Sequence, residues 1–235
     1  MAEHLPRSIE QIVEDQARRW GLFQRTDPPQ PRRPIIAISR QPGAGGGQVA
    51  RRLSCELGID FFDREIITEI ARSAHLSARV VSTLDEKDRD VLSDWLVSFA
   101  SQEHLSPGAY RAHLGRVIDV IAAHGGAVIL GRGAHMFLGS ARGLRVLIVA
   151  PLEQRVAEVA RREGLSEAGA RRRIAVVEGE RRAFFWRHFH TDLQDLSAFD
   201  LVVNTGVIGV DGAVVAVRAA VDAAHGKAGA TLLAS

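Results

Sequence analysis

Residues 35–57, IIAISRQPGAGGGQVARRLSCEL, decide the fold class of this chain. The stretch begins with a short apolar run, IIAIS, which has the length and composition of a strand buried on both faces. A loop that contains four glycines, GAGGG at residues 43–47, follows at once. The apolar spacing after it predicts a helix over residues 47–57. A strand, a glycine-rich turn and a helix in immediate succession are typical of the first unit of a parallel α/β sheet.

The rest of the chain continues this alternation. Short runs of four to six residues that are rich in Ile, Val and Leu are typical of strands that a parallel sheet buries on both faces. Such runs lie at residues 34–39, 127–131, 144–149 and 200–204, and residues 59–62 are predicted as the second strand. Helical spacing falls between and beyond them, at residues 47–57, 64–73, 107–124, 152–163, 167–188 and 212–225. The order predicts a doubly wound α/β fold, with helices on both faces of a parallel sheet.

The two ends of the chain differ from the middle in composition. Residues 1–33 join a short amphipathic stretch to a segment rich in Pro and Arg, which predicts an N-terminal extension and a linker, because proline fixes an extended path. Residues 226–235, GKAGATLLAS, carry little bulk and predict a flexible tail. The domain itself is therefore predicted to span residues 34–225.

Composition excludes several function classes. A chain of 235 residues with 46% hydrophobic and 25% charged side chains is typical of globular proteins. Its net charge of +2 is too small for general nucleic-acid binding. No apolar run approaches the roughly 20 residues of a membrane span, and the polar start MAEHLPRSIEQ lacks the apolar core of a signal peptide. We therefore expect a cytoplasmic protein that binds neither nucleic acid nor membranes; the sequence predicts no oligomeric state.

The glycine-rich loop is a candidate phosphate site. In an α/β sheet the ligand crevice lies beyond the carboxyl ends of the strands, where this loop is predicted to lie. Glycines let backbone N–H groups approach a ligand closely, and the following helix N-terminus favours a negative charge. A flexible turn without a ligand is the alternative. The predicted phosphate-binding residues are Arg40, Gly43, Ala44, Gly45, Gly46, Gly47 and Gln48.

The loop departs from the Walker A pattern G-x-x-x-x-G-K-[ST]. Arg40 stands at the first glycine of that pattern, Gly46 at the lysine and Gly47 at the metal-binding Ser or Thr. Only two of the 30 basic residues are lysines, and both lie elsewhere in the chain. Positive charge on ATP phosphates must therefore come from arginines. The candidates are Arg40, Arg132 and Arg181, with Arg51 and Arg52 as weaker ones, and Mg²⁺ would be held mainly through phosphates and water.

Five segments in order resemble one known family. They are AISRQPGAGGGQVARRLSCELGIDFFDREII, VILGRGAHMFL, LRVLIVAPLEQRVAEVARREG, EGERRAFFWRHF and FDLVVNTGVIGVDGAV. Together they resemble the cytidylate kinase-like branch of the P-loop nucleoside monophosphate kinases over roughly residues 34–224. The resemblance implies a P-loop kinase three-layer fold with a five-stranded parallel sheet, a helical region that binds the nucleoside monophosphate, and an Arg-rich lid. The implied reaction transfers the γ-phosphoryl group of ATP, with Mg²⁺, to CMP or dCMP.

The resemblance also assigns roles to individual residues. Arg132 lies between two glycines at the end of a predicted strand, where a charged residue is rarely a packing choice, and the family's acceptor nucleotide is bound there. The segment with Asp63 and Arg64 is the other acceptor-binding stretch, although Asp63 could equally be a helix N-cap. In EGERRAFF, Arg181 matches the lid arginine that closes over the transferring phosphates. Arg173 is a further catalytic candidate in the lid.

Some residues have simpler interpretations. His135 is predicted to lie on the surface of a helical turn. Glu178 precedes Arg181 by three residues, which allows ordinary surface ion pairs. His188 and His190 near Asp192 lack further ligands, so no protein metal site is predicted.

Alternatives to a CMP kinase stay open. Related cytidylate kinases carry an aspartate where this chain has Gly133, so the acceptor base is not fixed. The missing lysine allows a nucleotide-binding regulatory protein without catalysis, and another small acceptor is possible. A dinucleotide fingerprint starting at Gly45 tolerates Ala50 at its last position, but it lacks an acidic residue at the end of a second strand.

Overall fold

The structure is a computed structural model that describes residues 33–63, 111, 114–115, 117–119, 121–122, 125–139, 143–191 and 195–232, the last eight of them by their backbone alone. The chain divides into two compact units. All the elements below belong to the unit made of Arg33–Asp63 and Ile118–Ser235. The predicted helix at 64–73, residue Arg64, most of the predicted helix at 107–124 and residues 1–32 lie outside the described part. The predicted domain boundaries stay a prediction.

Five parallel strands form the sheet. They are β1 Ile35–Arg40, β2 Asp60–Phe62, β3 Ala127–Leu130, β4 Leu144–Val149 and β5 Leu201–Asn204, in the order β2-β3-β1-β4-β5. In the centre, Ile38 of β1 lies between Leu130 of β3 and Val146 of β4. The connection after β1 leads to one side of the sheet and the connection after β3 leads to the other, so the switch point, where such folds place their ligands, lies between β1 and β3. The predicted α/β fold with a parallel sheet is confirmed.

Helices connect these strands. Those with defined bounds are α1 Gly46–Leu57, α2 Ala134–Phe137, α3 Leu152–Glu163, α4 Glu167–Phe189 and α5 Thr205–Leu232, and a 3₁₀ turn spans Leu196–Ala198. The last helix extends beyond the predicted 212–225 at both ends. It is interrupted at Gly209, whose φ is 67° and ψ is −176°. The sequence did not predict the start of this helix before residue 212, because glycine disfavours helix and glycines lie at 206, 209 and 212.

The core lies on both faces of the central strands. Ile36 and Ile38 of β1 are almost fully buried, and Leu53 of α1 is completely so. Removing a buried leucine side chain of this kind destabilises a protein by about 2–5 kcal/mol. The prediction that all strands are buried on both faces was wrong for β5, where Val202 is 42% exposed, because β5 is an edge strand. Among the described residues, no helix is both long and apolar enough to cross a membrane.

Candidate active site

The loop after β1 adopts a shape that requires glycine. Gly43 has φ +80° and Gly45 has φ +74°, which is the left-handed region that other residues avoid. A Cβ on Gly43 would lie 2.5 Å from the carbonyl oxygen of Arg155. Gly45 then begins α1, since its carbonyl oxygen accepts hydrogen bonds from the N–H groups of Gln48 and Val49 at 2.9 and 3.0 Å. The loop therefore lies tightly on its neighbours and turns directly into a helix.

The N-terminus of α1 suits an anion. The N-cap is Gly45, and in the part of the chain that the structure describes no side chain caps this helix, nor does its first turn hold an acidic residue. The first N–H groups of a helix have no partner within the helix and carry a partial positive charge. The residues predicted to bind phosphate, from Gly43 to Gln48, form this turn. A helix start without an acidic residue or a side-chain cap, at the switch point of the sheet, has the geometry that an anion requires.

Arg40 is the last residue of β1, and its side chain crosses two glycines. Its stem packs directly over Gly46, and its guanidinium lies over Gly131, the first residue after β3. A Cβ on either glycine would collide with it. The charged end of Arg40 thus lies along the carboxyl edge of the strands, beside the glycine-rich loop.

Arg181 reaches the same place from α4. Its Nη1 donates a hydrogen bond of 2.5 Å to the carbonyl oxygen of Arg40, across 141 residues of chain. The side chain is half-buried there. Two of the predicted cations, Arg40 and Arg181, therefore meet at the end of β1.

Arg132 completes the group from the end of β3. It has φ +53° between Gly131 and Gly133, and a non-glycine residue in this conformation is uncommon. Its Cζ lies 5.7 Å from the centre of the Phe184 ring, within the range of a cation–π interaction. Strained backbone of this kind costs about 1–3 kcal/mol and is found preferentially at functional sites. Arg132 is therefore held at the sheet edge by the same helix that carries Arg181.

Sequence comparison identifies the family. A sequence profile described as the cytidylate kinase-like family matches residues 35–207. This chain belongs to the cytidylate kinase-like family. Curated cytidylate kinases of Thermococcus kodakarensis and Pyrococcus horikoshii are 36% and 34% identical over 188 residues, which is 80% of this chain and 88% of each relative.

A solved structure agrees in fold. An uncharacterized protein from Eubacterium ventriosum superposes with a TM-score of 0.62 at 21% identity, over 81% of this chain and 99% of its own. The family resemblance predicted from the sequence is confirmed, and so is the P-loop kinase fold.

The segment after β5 packs against the glycine-rich loop. The Thr205 hydroxyl lies 2.9 Å from the carbonyl oxygen of Ala44 and 3.1 Å from that of Val149. Val210 contacts Gly45, since a Cβ there would lie 2.9 Å from its Cγ2. No site residue is predicted in this segment from the sequence, because its glycines are typical of a loop.

The two weaker arginine candidates are engaged elsewhere. Arg52 forms an ion pair with Asp211 of α5. The Cζ of Arg51 lies 5.7 Å from the centre of the Phe61 ring. Neither is brought to the group formed by Arg40, Arg132 and Arg181.

His135 is buried, so its predicted surface position was wrong. Its side chain is 5% exposed and stacks between Phe185, at 5.6 Å between ring centres, and Phe199, at 4.5 Å. Ser39 Oγ of β1 lies 3.0 Å from its Nδ1. Burial, with a smaller contribution from the charge of Arg145, lowers the pKa of His135 to about 4. The imidazole is therefore neutral near pH 7 and connects the end of β1 to α4.

Arg155 is the residue that sequence reasoning missed. It lies on the inward face of α3 and is 7% exposed. Its Nε donates to the carbonyl oxygen of Ala150 at 3.0 Å, and its Nη1 donates to Glu178 Oε1 of α4 at 2.7 Å. A longer contact of 3.5 Å joins the same Nη1 to the carbonyl oxygen of Pro42 in the loop. Glu178 thus pairs with Arg155 across 23 residues, not with the arginines that follow it on α4.

The remaining candidates are less central. Arg173 lies eight residues before Arg181, about 12 Å along the helix, and its Nε lies 3.3 Å from Glu163 Oε2 on the exposed surface. The structure does not bring it to the other arginines. Asp63 follows β2 directly, at the same edge of the sheet as Arg132. Arg64 lies outside the described residues.

The described residues offer no protein metal site. They contain no group of three or more His, Cys, Asp or Glu side chains that could hold an ion. The ring of His188 lies 4.7 Å from that of Phe184, and the ring of His190 lies 6.4 Å from that of Trp186. Asp192, the third member considered from the sequence, lies outside the described part.

Proposed function

We propose that the chain is a nucleoside monophosphate kinase that transfers the γ-phosphoryl group of ATP to CMP or dCMP. The observation that carries this proposal is the meeting of Arg181 with Arg40 at the end of β1, beside a glycine-rich turn that opens a helix. Kinship with curated cytidylate kinases supports the choice of acceptor.

Phosphoryl transfer requires a site with these properties. Phosphoryl transfer needs little covalent work from the protein; it needs in-line positioning and positive charge around the equatorial oxygens of the moving group. Backbone N–H groups of residues 43–47 would bind the phosphates of ATP, except that of Ala44, which donates to the carbonyl oxygen of Gln41 at 3.2 Å. Arg181 would reach the transferring phosphoryl group from α4, and Arg132 would meet the acceptor phosphate from the end of β3. Each guanidinium offers several donors in a fixed plane, which suits phosphate oxygens.

Mg²⁺ would enter as the metal complex of ATP. Residue 47, where a Walker loop has its Ser or Thr, is glycine here, and the nearest atom to a Cβ at that position is Leu130 Cδ2 at 3.9 Å. Residue 47 therefore offers no hydroxyl ligand to the metal. Oxygens of the phosphates and of water are the ligands that Mg²⁺ prefers in such sites.

The other assigned residues stay proposals. Asp63 and Arg64 would bind the acceptor nucleotide from the end of β2. Arg173 would take part in the lid only if its pair with Glu163 opened, since the two side chains are in contact here.

Two features favour a second candidate, a nucleotide-binding protein that does not phosphorylate CMP. The loop lacks the Walker lysine, and the position of the family's aspartate is Gly133. A Cβ at Gly133 would lie 2.8 Å from the ring of Phe189, so the space for an aspartate is taken. Such a protein would bind ATP without transfer, or use another acceptor.

An acceptor panel separates the two candidates. The full-length protein is incubated with ATP and Mg²⁺, and ADP formation is measured with CMP, dCMP, UMP, AMP, GMP or no acceptor, with mass detection of the diphosphate product. We expect turnover that depends on CMP or dCMP. A sample that binds ATP by calorimetry but forms no product with any of the five would contradict the kinase assignment. Turnover confined to another nucleotide would correct the acceptor alone.

A further inference from the structure

Compared with the Walker pattern, a basic residue and a glycine have changed places at Arg40 and Gly46. Arg40 occupies the place of the pattern's first glycine, and Gly46 the place of its lysine. The two residues touch in the structure. A Cβ on Gly46 would lie 3.0 Å from Arg40 Cγ, closer still to Arg40 Cβ, and 3.4 Å from Ile148 Cβ. A lysine at 46 and an arginine at 40 are therefore mutually exclusive in this backbone.

A second glycine clears the path of the charged end. At Gly131 a Cβ would lie 3.5 Å from Arg40 Cζ and closer still to Nη1. Gly131 also has φ +85° and ends β3 through a hydrogen bond of 2.9 Å from its N–H to the carbonyl oxygen of Ile38. The stem of Arg40 thus passes Gly46 at the start of α1, and its guanidinium lies along the sheet edge at the end of β3.

The backbone of Arg40 is held from both sides. It pairs with Ile148 in the register of β4, and Arg181 Nη1 donates to its carbonyl oxygen. The N–H of Gln41 donates to the carbonyl oxygen of Ile148 at 2.9 Å. These contacts fix the direction in which the side chain leaves the strand.

Gly47 provides the contrast. It is the next residue of the same helix, and among the described residues the one atom that a Cβ there would meet within 4 Å is Leu130 Cδ2, at the ordinary contact distance of 3.9 Å. Arg40 therefore requires a glycine at 46, while the described neighbours of residue 47 leave space for a Cβ.

We propose that Arg40 supplies the positive charge of the missing lysine to the terminal phosphates of ATP, and that Arg40 and Gly46 form an exchanged pair. The charge enters from the end of β1 instead of from the first turn of α1. A guanidinium can donate two parallel hydrogen bonds to phosphate oxygens, whereas an ammonium acts as a point charge. This inference rests on the proposed function for its catalytic meaning, but the binding of phosphates at Arg40 can be tested without any acceptor.

The binding test uses tripolyphosphate with Mg²⁺ as a probe that carries no base. Calorimetry compares the wild type with Arg40→Ala, and also with Gly46→Ala and Gly47→Ala, which change neighbouring helical glycines in the same way. We expect Arg40→Ala to weaken binding at least about tenfold, as loss of a charge-assisted contact does. Gly46→Ala should weaken it at least fivefold more than Gly47→Ala does. Equal effects of the two alanine variants, unchanged binding by Arg40→Ala, or no binding by the wild type would overturn the proposal.

The exchange itself is tested by moving the charge back. Arg40→Gly and Gly46→Lys are each expected to reduce kcat by about 100-fold, the usual effect of removing one preorganised donor to the transition state. The double variant restores a Walker-like order of residues and should recover at least tenfold over the worse single variant. A double variant whose loss equals the product of the two single losses would contradict an exchange. Thermal melts of all three identify any variant that fails to fold, and in that case the alanine comparison decides.

The two tests fail in different ways. If no nucleotide accepts phosphate from the wild type, the proposed function is wrong, and the tripolyphosphate comparison still decides whether Arg40 binds phosphates. If CMP is phosphorylated but Arg40→Ala binds tripolyphosphate as the wild type does, the kinase assignment stands and the role of Arg40 is refuted.

Discussion

The two halves of α4 carry the same kind of residues and are held in different ways. In the first half, residues 167–177, Ala170 and Ile174 pack on Val156 and Val159 of α3, and Arg173 pairs with Glu163 at the surface. In the second half, residues 178–189, the contacts reach across the sheet edge to the loop and to the segment after β3. Whether an arginine of α4 belongs to the candidate site therefore depends on which part of the fold its half of the helix packs against.

Packing and polar contacts act together in the second half. Phe185 and Phe189 lie 5.3 Å apart between ring centres, and both pack beside Gly133. Glu178 and Arg181, three residues apart and hence on adjoining parts of one face, bind Arg155 and the main chain of Arg40. The aromatic rings place the helix and the arginine supplies the charge, so the two contributions can be separated by mutation.

Phe185→Ala should have the largest effect, on stability. Phe185 is 6% exposed and stacks with His135, so its removal leaves a cavity and is expected to destabilise the fold by about 3–5 kcal/mol. Trp186, its neighbour, is 69% exposed, and Trp186→Ala serves as the control. Urea unfolding of both variants measures the difference. Similar losses for the two would show that the aromatic cluster does not hold α4.

Arg181→Ala should have the largest effect on activity. Loss of one preorganised cation is expected to lower kcat with ATP and CMP by about 100-fold. Arg182, which is exposed on the same helix, gives the matched control, and Arg182→Ala should change kcat by less than about threefold, as surface substitutions do. Initial rates of ADP formation measure both. Equal rates for the two variants would remove Arg181 from the site.

His135 should make stability depend on pH. Its pKa is about 4 in the folded protein, below the ordinary 6.5, so the unfolded chain binds the proton more readily. The stability that the neutral imidazole provides is complete above about pH 6.5 and is lost as the pH falls towards 4. Between pH 7 and pH 5 we expect a loss of about 2 kcal/mol from this group. Urea unfolding at both pH values should show a smaller loss in His135→Asn; the same pH dependence in that variant would show that His135 does not titrate this way.

Arg155→Lys should have a moderate effect. Lysine keeps the charge but cannot bind Ala150 and Glu178 together in the geometry that arginine has here. We expect kcat/KM for ATP to fall about tenfold, as for loss of a buried charge-assisted hydrogen bond. Glu178→Gln and the double variant complete a cycle. Strictly additive losses would mean that Arg155 and Glu178 do not act as a pair.

Arg173→Ala should have the smallest effect. Its pair with Glu163 is exposed, and such pairs contribute about 0–1 kcal/mol. We expect less than a threefold change in kcat, roughly the limit for surface substitutions. A loss as large as that of Arg181→Ala would instead support the predicted catalytic role of Arg173 in the lid.

The sequence predicted what depends on local pattern. Runs such as IIAIS and LRVLIV stand out because central strands are buried on both faces, and the glycines of residues 43–47 stand out because the turn needs left-handed backbone. Arg181 was found through a family motif, not through its environment. Contacts between distant parts of the chain gave no such signal. The partner of Glu178, 23 residues away, and the burial of His135 against Phe199 follow from packing that no spacing in the sequence records.

Arg155 could have been selected from the sequence. It falls on the same face of α3 as the buried Val156 and Val159, and a charged residue there needs buried partners. A search for arginines on apolar helix faces would have selected it. Its partners, a strand end, the loop and α4, could only be named from the fold.

Hydrogen exchange with and without ATP and Mg²⁺ tests most directly whether ATP phosphates lie between the loop after β1 and the second half of α4. We predict slower exchange in residues 40–48 and 178–189 when ATP is bound, and little change in residues 167–177. Protection confined to the first half of α4, or absent from the loop while ATP is bound, would contradict the site.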